Sequence, residues 1–188
     1  MGPPRILSAV LVLALCPGCA LFVDVPTLEP LPRRRVVLDT VEYTPQAAGW
    51  DCGPACLTAV MRYYGSPLTL DQVTGQLKQR SGGGIIVPEM IYGARENGFR
   101  CKMYEGDIND LRRRMLDGKP LILMLYPTPR THRHDTDPRG HYVVAVGYDD
   151  RRREAIIHTG DRAFARMSYR RLQQQWSRAR FRTFLIER

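Results

Sequence analysis

The sequence predicts an α+β fold, with N-terminal helices packed on an antiparallel sheet. Two observations carry that expectation. Apolar residues recur at helical spacing between residues 52 and 116, whereas short apolar runs bounded by turn residues dominate from residue 120 onward. Helices first and strands later indicate segregated elements and not βαβ units. A length of 188 residues, 44 % of them hydrophobic, supports one domain with a real core and is too short for two comfortable ones.

Each element has its own signal. Val36–Tyr43 is rich in Val and Leu and reads as extended. Cys52–Tyr64 reads as a helix, with Pro54 suited to its first turn and Gly65 to its C-terminal stop. Leu57, Val60, Met61 and Tyr64 fall on one face of it. A second helix is expected over Leu70–Gln79, opened by Thr69 with Gln72 three residues on, the pattern of a capping box. Pro88–Asn97, stopped by Gly98, makes a third and Asn109–Leu116 a fourth. Pro120–Tyr126 and Tyr142–Tyr148 read as buried strands, Glu154–His158 and Arg180–Ile186 as weaker ones, with a short helix over Tyr169–Trp176 between them.

The N-terminal region reads as a targeting segment. Arg5 precedes the ten-residue apolar run Ile6–Leu15, the length of a signal-peptide core and shorter than a membrane span. Gly18-Cys19 resembles the end of a lipoprotein box, although Cys16 and Pro17 depart from the usual pattern, and cleavage after Ala20 is the alternative. The expected organisation is a signal peptide over 1–19 with lipidation at Cys19, a Pro/Arg-rich tether over 20–35, and the folded domain over 36–188. That organisation implies an exported protein of the cell envelope, lipid-anchored to the outer membrane or a periplasmic face.

The formal charge is +9, and Lys78, Lys102 and Lys119 are the only lysines, so arginine carries most of the positive charge. The basic runs 33–35, 112–114 and 151–153 are scattered and lack aromatic interleaving, which argues against a nucleic-acid partner. Five cysteines, an odd number, argue against a simple disulfide framework. His132 and His134 lack an acidic or cysteine partner at ligand spacing, so neither a metal nor another cofactor is expected.

Cys52 stands where a thiol gains reactivity, at a helix N-terminus whose N–H groups and dipole favour thiolate. By itself such a cysteine is equally a small buried apolar residue, the role that suits Cys56. Gly53 gives backbone and substrate room to approach. Gln46, six residues upstream of Cys52, offers a side-chain amide that, with the Cys52 N–H, could face an oxyanion. His141 opens the run G-H-Y-V-V-A-V-G-Y-D, and a base at the edge of a rigid strand can be held beside a thiol on a facing helix.

Taken in order, Q-x5-C-G-P-A-C-L at a helix start, Y-Y-G at its end, G-K-P-L-I-L, and G-H-Y-V-V-A-V-G-Y-D resemble the double-glycine leader peptidases, papain-like cysteine peptidases that process bacteriocin precursors. The resemblance runs from about Tyr43 to Trp176. It implies a papain-like fold, a peptide or protein substrate, Cys52 as nucleophile, His141 as general base and Gln46 in the oxyanion hole. Two departures stand out. Many relatives are fused to an ABC exporter, and a stand-alone peptidase without a fused exporter is expected here. The family's third member is Asp followed by Pro, whereas this chain reads I-I-H-T-G-D, with His158 at the aligned position and Asp161 three residues later. A carboxylate is the better partner for an imidazolium, which favours Asp161 over His158. A catalytically weak peptide-binding module and an acyl transferase are the competing readings, since fold analogy does not fix function.

Overall fold

The computed structural model describes residues 28, 34–46, 49–77, 85–126 and 140–188. The signal-peptide and lipidation expectations, Cys19 included, fall outside the described residues, as do His132 and His134. In chain order the elements are β1 (Arg35–Val37), α1 (Cys52–Tyr63), α2 (Leu70–Gln76), α3 (Val87–Glu96), β2 (Arg100–Glu105), α4 (Ile108–Leu116), β3 (Leu121–Leu125), β4 (His141–Asp149), β5 (Glu154–His158), β6 (Ala165–Ser168), α5 (Tyr169–Ser177) and β7 (Arg182–Glu187).

The strands form one antiparallel sheet in the order β2-β7-β3-β4-β5-β6, with β1 joined to the far half of β4. β4 is the spine of this sheet. Its first half pairs with β3, Leu125 opposite His141, and its last half pairs with β1, Arg35 opposite Asp149. Between Ala145 and Gly147 the β4–β5 register shifts by one residue. A Cβ at Gly147 would overlap the Val36 carbonyl, so only glycine lets β1 close on the strand there.

Helices cover both faces of the sheet, a three-layer arrangement. Leu57, Val60 and Met61 of α1, Val73 of α2, and Met90 and Ala94 of α3 share a core with Tyr142, Val144 and Val146. Leu111 and Met115 of α4 and Leu172 and Trp176 of α5 pack the opposite face, on Leu121, Leu123, Val143 and Ala145. The reason is the near-continuous apolar character of β3 and β4: strands without a polar face must be buried on both sides.

Several local signals act as the sequence indicates. Thr69 Oγ1 accepts the Gln72 N–H at 3.3 Å and Gln72 Oε1 accepts the Thr69 N–H at 2.9 Å, a complete capping box. Gly65 ends α1 at φ +84°. Across the second face Arg112 and Asp150 form a fully buried ion pair, Nη2 to Oδ2 at 2.8 Å, and the Tyr169 hydroxyl donates to Asp150 Oδ1 at 2.8 Å. That network ties α4 and α5 to the turn after β4. Among the described residues no helix is long and apolar enough to cross a membrane.

Candidate active site

α1 and the start of β4 meet at Cys52. Asp51 holds the N-cap position without a side-chain capping bond, so no carboxylate occupies the helix's leading N–H groups. Cys52 is 6 % exposed, and the nearby backbone N–H groups of Tyr142, Gly53 and Cys52 itself act as donors that favour its thiolate. Burial raises its pKa and outweighs the lowering by those three donors. Acidification by the helix terminus alone is therefore not what the site shows, and loss of the thiol proton needs a base. Cys56, one turn on, is buried beside Cys52, and its pKa is pushed far up by burial.

Gly53 has a different use from the one its sequence position suggests. A Cβ there would lie 3.3 Å from the Ile85 Cβ and 3.3 Å from the Met90 Sδ, so the glycine serves the packing of α1 on α3.

His141 is the first residue of β4 and half-buried. The backbone N–H of its neighbour Tyr142 favours the Cys52 thiolate, and Tyr142 and Cys52 line the same cavity, so the strand that carries His141 runs beside the thiol. The charge of His141 also reaches Asp161, one of several influences that hold that carboxyl below its usual range. The Thr159 hydroxyl is the strongest of them, donating to Asp161 Oδ1 at 2.8 Å.

Gln46 lies on the segment leading from β1 into α1, and this segment is stitched to the loop after β5. The Gln46 N–H donates to the Gly160 carbonyl at 3.4 Å and the Tyr43 hydroxyl donates to the same oxygen at 2.9 Å. A Cβ on Gly160 would overlap the Gln46 side-chain amide. Gln46, Cys52, Tyr142, His158 and Gly160 line one cavity of about 10 Å³, the size of a single water. Thr44 Oγ1 and Gln46 Oε1 are buried at this cavity without a hydrogen-bond partner in the structure.

His158 is buried, and both ring nitrogens are engaged away from His141. The Phe164 N–H donates to Nδ1 at 3.1 Å, so Nδ1 carries the lone pair and Nε2 the proton, which goes to the Val41 carbonyl at 2.9 Å. Burial lowers its pKa, so it stays neutral. In this arrangement neither nitrogen is left to receive the His141 ring N–H, whereas Asp161 stays within electrostatic reach of it.

The profile of the Peptidase C39 family matches residues 40–181, three-quarters of the sequence. The chain belongs to the peptidase C39 family. It is accordingly a cysteine-type peptidase of papain-like α+β fold. The peptidase domain of Streptococcus ComA, a bifunctional ABC transporter of a quorum-sensing pathway, superposes with a TM-score of 0.62 at 24 % identity, over 77 % of this chain and 98 % of that one. A double-glycine-motif protease from an AMS/PCAT transporter, solved with its leader peptide, gives 0.59 at 18 % over 85 % and 98 %. Xylellain, a cysteine protease from Xylella fastidiosa, gives 0.60 at 16 % over 86 % and 90 %. No curated protein matches the sequence. At these identities the superpositions speak for the C39 fold alone. The sequence marks Thr159-Gly160 as the short turn that can bring Asp161 back to the strand end, but not the Thr159 hydrogen bond to Asp161, the approach of Gly160 to Gln46 or the part played by Tyr43. Their signal was faint, because each acts through one hydrogen bond or one close approach that residue type does not announce.

Proposed function

We propose that this C39 peptidase hydrolyses peptide bonds through a thioester at Cys52, as an exported protein lipid-anchored through Cys19. His141 takes the thiol proton and returns it to the leaving amine. The acyl-enzyme is then hydrolysed by water activated through the same imidazole. Gln46 and the Cys52 N–H stabilise the oxyanion, and Asp161 orients the imidazole. The observation that carries this reading is the cavity that brings Gln46 and Cys52 together with Tyr142, the residue after His141. The leader peptide bound by the AMS/PCAT protease supports a peptide segment as the substrate class.

The deciding experiment compares Cys52→Ala with Cys56→Ala on peptides from cell-envelope extracts. The first is expected to abolish turnover and the second to retain it; equal loss with intact folding overturns the assignment. A binding module would retain peptide affinity with no acyl-enzyme detectable at Cys52 by mass spectrometry. The same method reads the mature N-terminus, where a diacylated Cys19 is expected and an unmodified chain starting after Ala20 refutes anchoring.

A further inference from the structure

We infer that the end of the sheet remote from Cys52 is a docking face for an anionic lipid bilayer, an inference that extends the proposed envelope location. Three separate pieces of chain bring arginines together there. Arg34 and Arg35 lead into β1, where Arg35 pairs with Asp149 and the Arg34 carbonyl accepts the Asp150 N–H at 3.2 Å. Arg151, Arg152 and Arg153 form the turn between β4 and β5. The Arg153 carbonyl accepts the Tyr169 N–H at 2.8 Å, which draws in Arg170. All six arginines are exposed.

The acidic residues at this end are themselves buried or engaged. Asp149 is buried and accepts the N–H groups of Arg151 and Arg152 at 3.1 and 3.2 Å, with its other oxygen 4.0 Å from Arg152 Nε. Asp150 is buried and already neutralised by Arg112. Glu154 faces Arg166 at 3.5 Å. The surface left to solvent is strongly cationic, and guanidinium forks match phosphate oxygens in pairs.

Charge complementarity admits several polyanions, and two observations choose the bilayer. Among the described residues, the large apolar side chains left exposed are Trp50, Tyr92, Met103 and Phe164, none of them in these three segments, so the described face offers no platform on which bases could stack. The chain also enters β1 at this face, through Arg34. An anchor at Cys19 would stand nine residues before Leu28, which packs against the α4–α5 side of the core, a reach of at most about 30 Å. A basic patch beside a lipid anchor adds electrostatic attraction to an anionic leaflet and holds the domain against it. β4 runs nine residues from His141 to Asp149, a rise of about 26 Å, so docking by this end directs the candidate site away from the lipid.

The test uses the full chain carrying Cys19→Ala, which removes any lipid and so separates this inference from the anchoring proposal. Co-sedimentation is measured with vesicles of phosphatidylcholine alone and of phosphatidylcholine with phosphatidylglycerol. One variant combines Arg34→Gln, Arg35→Gln, Arg151→Gln, Arg152→Gln and Arg170→Gln. A charge-matched control combines Arg95→Gln, Arg100→Gln, Lys102→Gln, Arg178→Gln and Arg180→Gln. Binding to the anionic vesicles is expected to fall about tenfold or more in the first variant, to stay within about twofold in the control, and to weaken with salt. An equal fall in both sets, no fall in either, or loss of single-stranded DNA binding with vesicle binding unchanged overturns the inference. Circular dichroism melts establish that both variants are folded, and the result stands whether or not the protein proves catalytic.

Discussion

The imidazole of His158 and the backbone N–H of Phe164 close the loop after β5 into a ring, Nδ1 accepting at 3.1 Å while Nε2–H holds the Val41 carbonyl. Phe164 adopts φ +50°, a left-handed conformation that a bulky residue takes only when its surroundings demand it. Its ring also packs edge-on against the His158 ring, with centroids 4.6 Å apart. The loop so fastened carries Gly160, which abuts Gln46, and Asp161, which senses His141. If His158 acts through Gln46, His158→Phe and Gln46→Ala should each lower kcat by about a hundredfold, and the double variant should lose no more than either alone. Additive losses would show two independent effects.

Gly160→Ala gives a second view of the same contact. The added methyl must displace the Gln46 amide, so kcat should fall at least about tenfold, with KM and thermal stability little changed. Unchanged kcat would show that the amide has another way to reach the oxyanion.

Asp161→Asn should lower kcat/KM by about tenfold or more, equivalent to about 1.4 kcal/mol of transition-state stabilisation, by removing the carboxylate that the His141 charge feels. The loss should show in kcat/KM with folding unaffected, because Asp161 is exposed. A silent Asp161→Asn would mean that Cys52 and His141 work as a pair.

Acid should loosen this loop before it unfolds the domain. The pKa of His158 lies below its ordinary 6.5 in the folded protein, so the folded state resists its protonation. Its contribution to stability is therefore complete above about pH 6.5 and drains away as the pH falls through the lowered value. Protonated Nδ1 would face the Phe164 N–H donor to donor. Amide exchange at Phe164 should accelerate across that range, and His158→Asn should flatten the dependence.

For Cys52, burial sets the starting point and the base must overcome it. His141→Ala should slow alkylation of Cys52 by iodoacetamide at neutral pH by about tenfold or more. Equal rates in the parent and the variant would separate the two residues.

Away from the site, Asp150→Ala should cost about 3–5 kcal/mol, read from denaturant unfolding, because it strands the buried Arg112 guanidinium. Tyr169→Phe, which removes one donor to Asp150, should cost about 1–3 kcal/mol.

The sequence was most informative where one residue type had one use. Pro54, Gly65 and the Thr69–Gln72 pair mark helix ends, and the structure uses them as such. β2 and β6 escaped notice because R-C-K-M-Y-E and A-R-M-S are short alternating segments without a strong apolar run. Two-sided burial was written in Val143–Val146, whose lack of a polar face asks for helices on both sides. Cys52 and His141 stand out as candidates because a helix start and a strand start are legible. The role of Gly160 was not, since it depends on how one loop folds back on a segment more than a hundred residues earlier, and those of Thr159 and Phe164 depend on the shape that loop takes.

β7, the final strand in sequence, lies between β2 and β3 and pairs with both. Synthesis therefore delivers a middle piece of the sheet last, and Arg100 waits for Glu187 before β2 has any partner. A growing chain can collapse around α1 but cannot complete its sheet until β7 has emerged. Until then β2 has no partner and β3 presents an open edge, the form of the chain most exposed to mispairing.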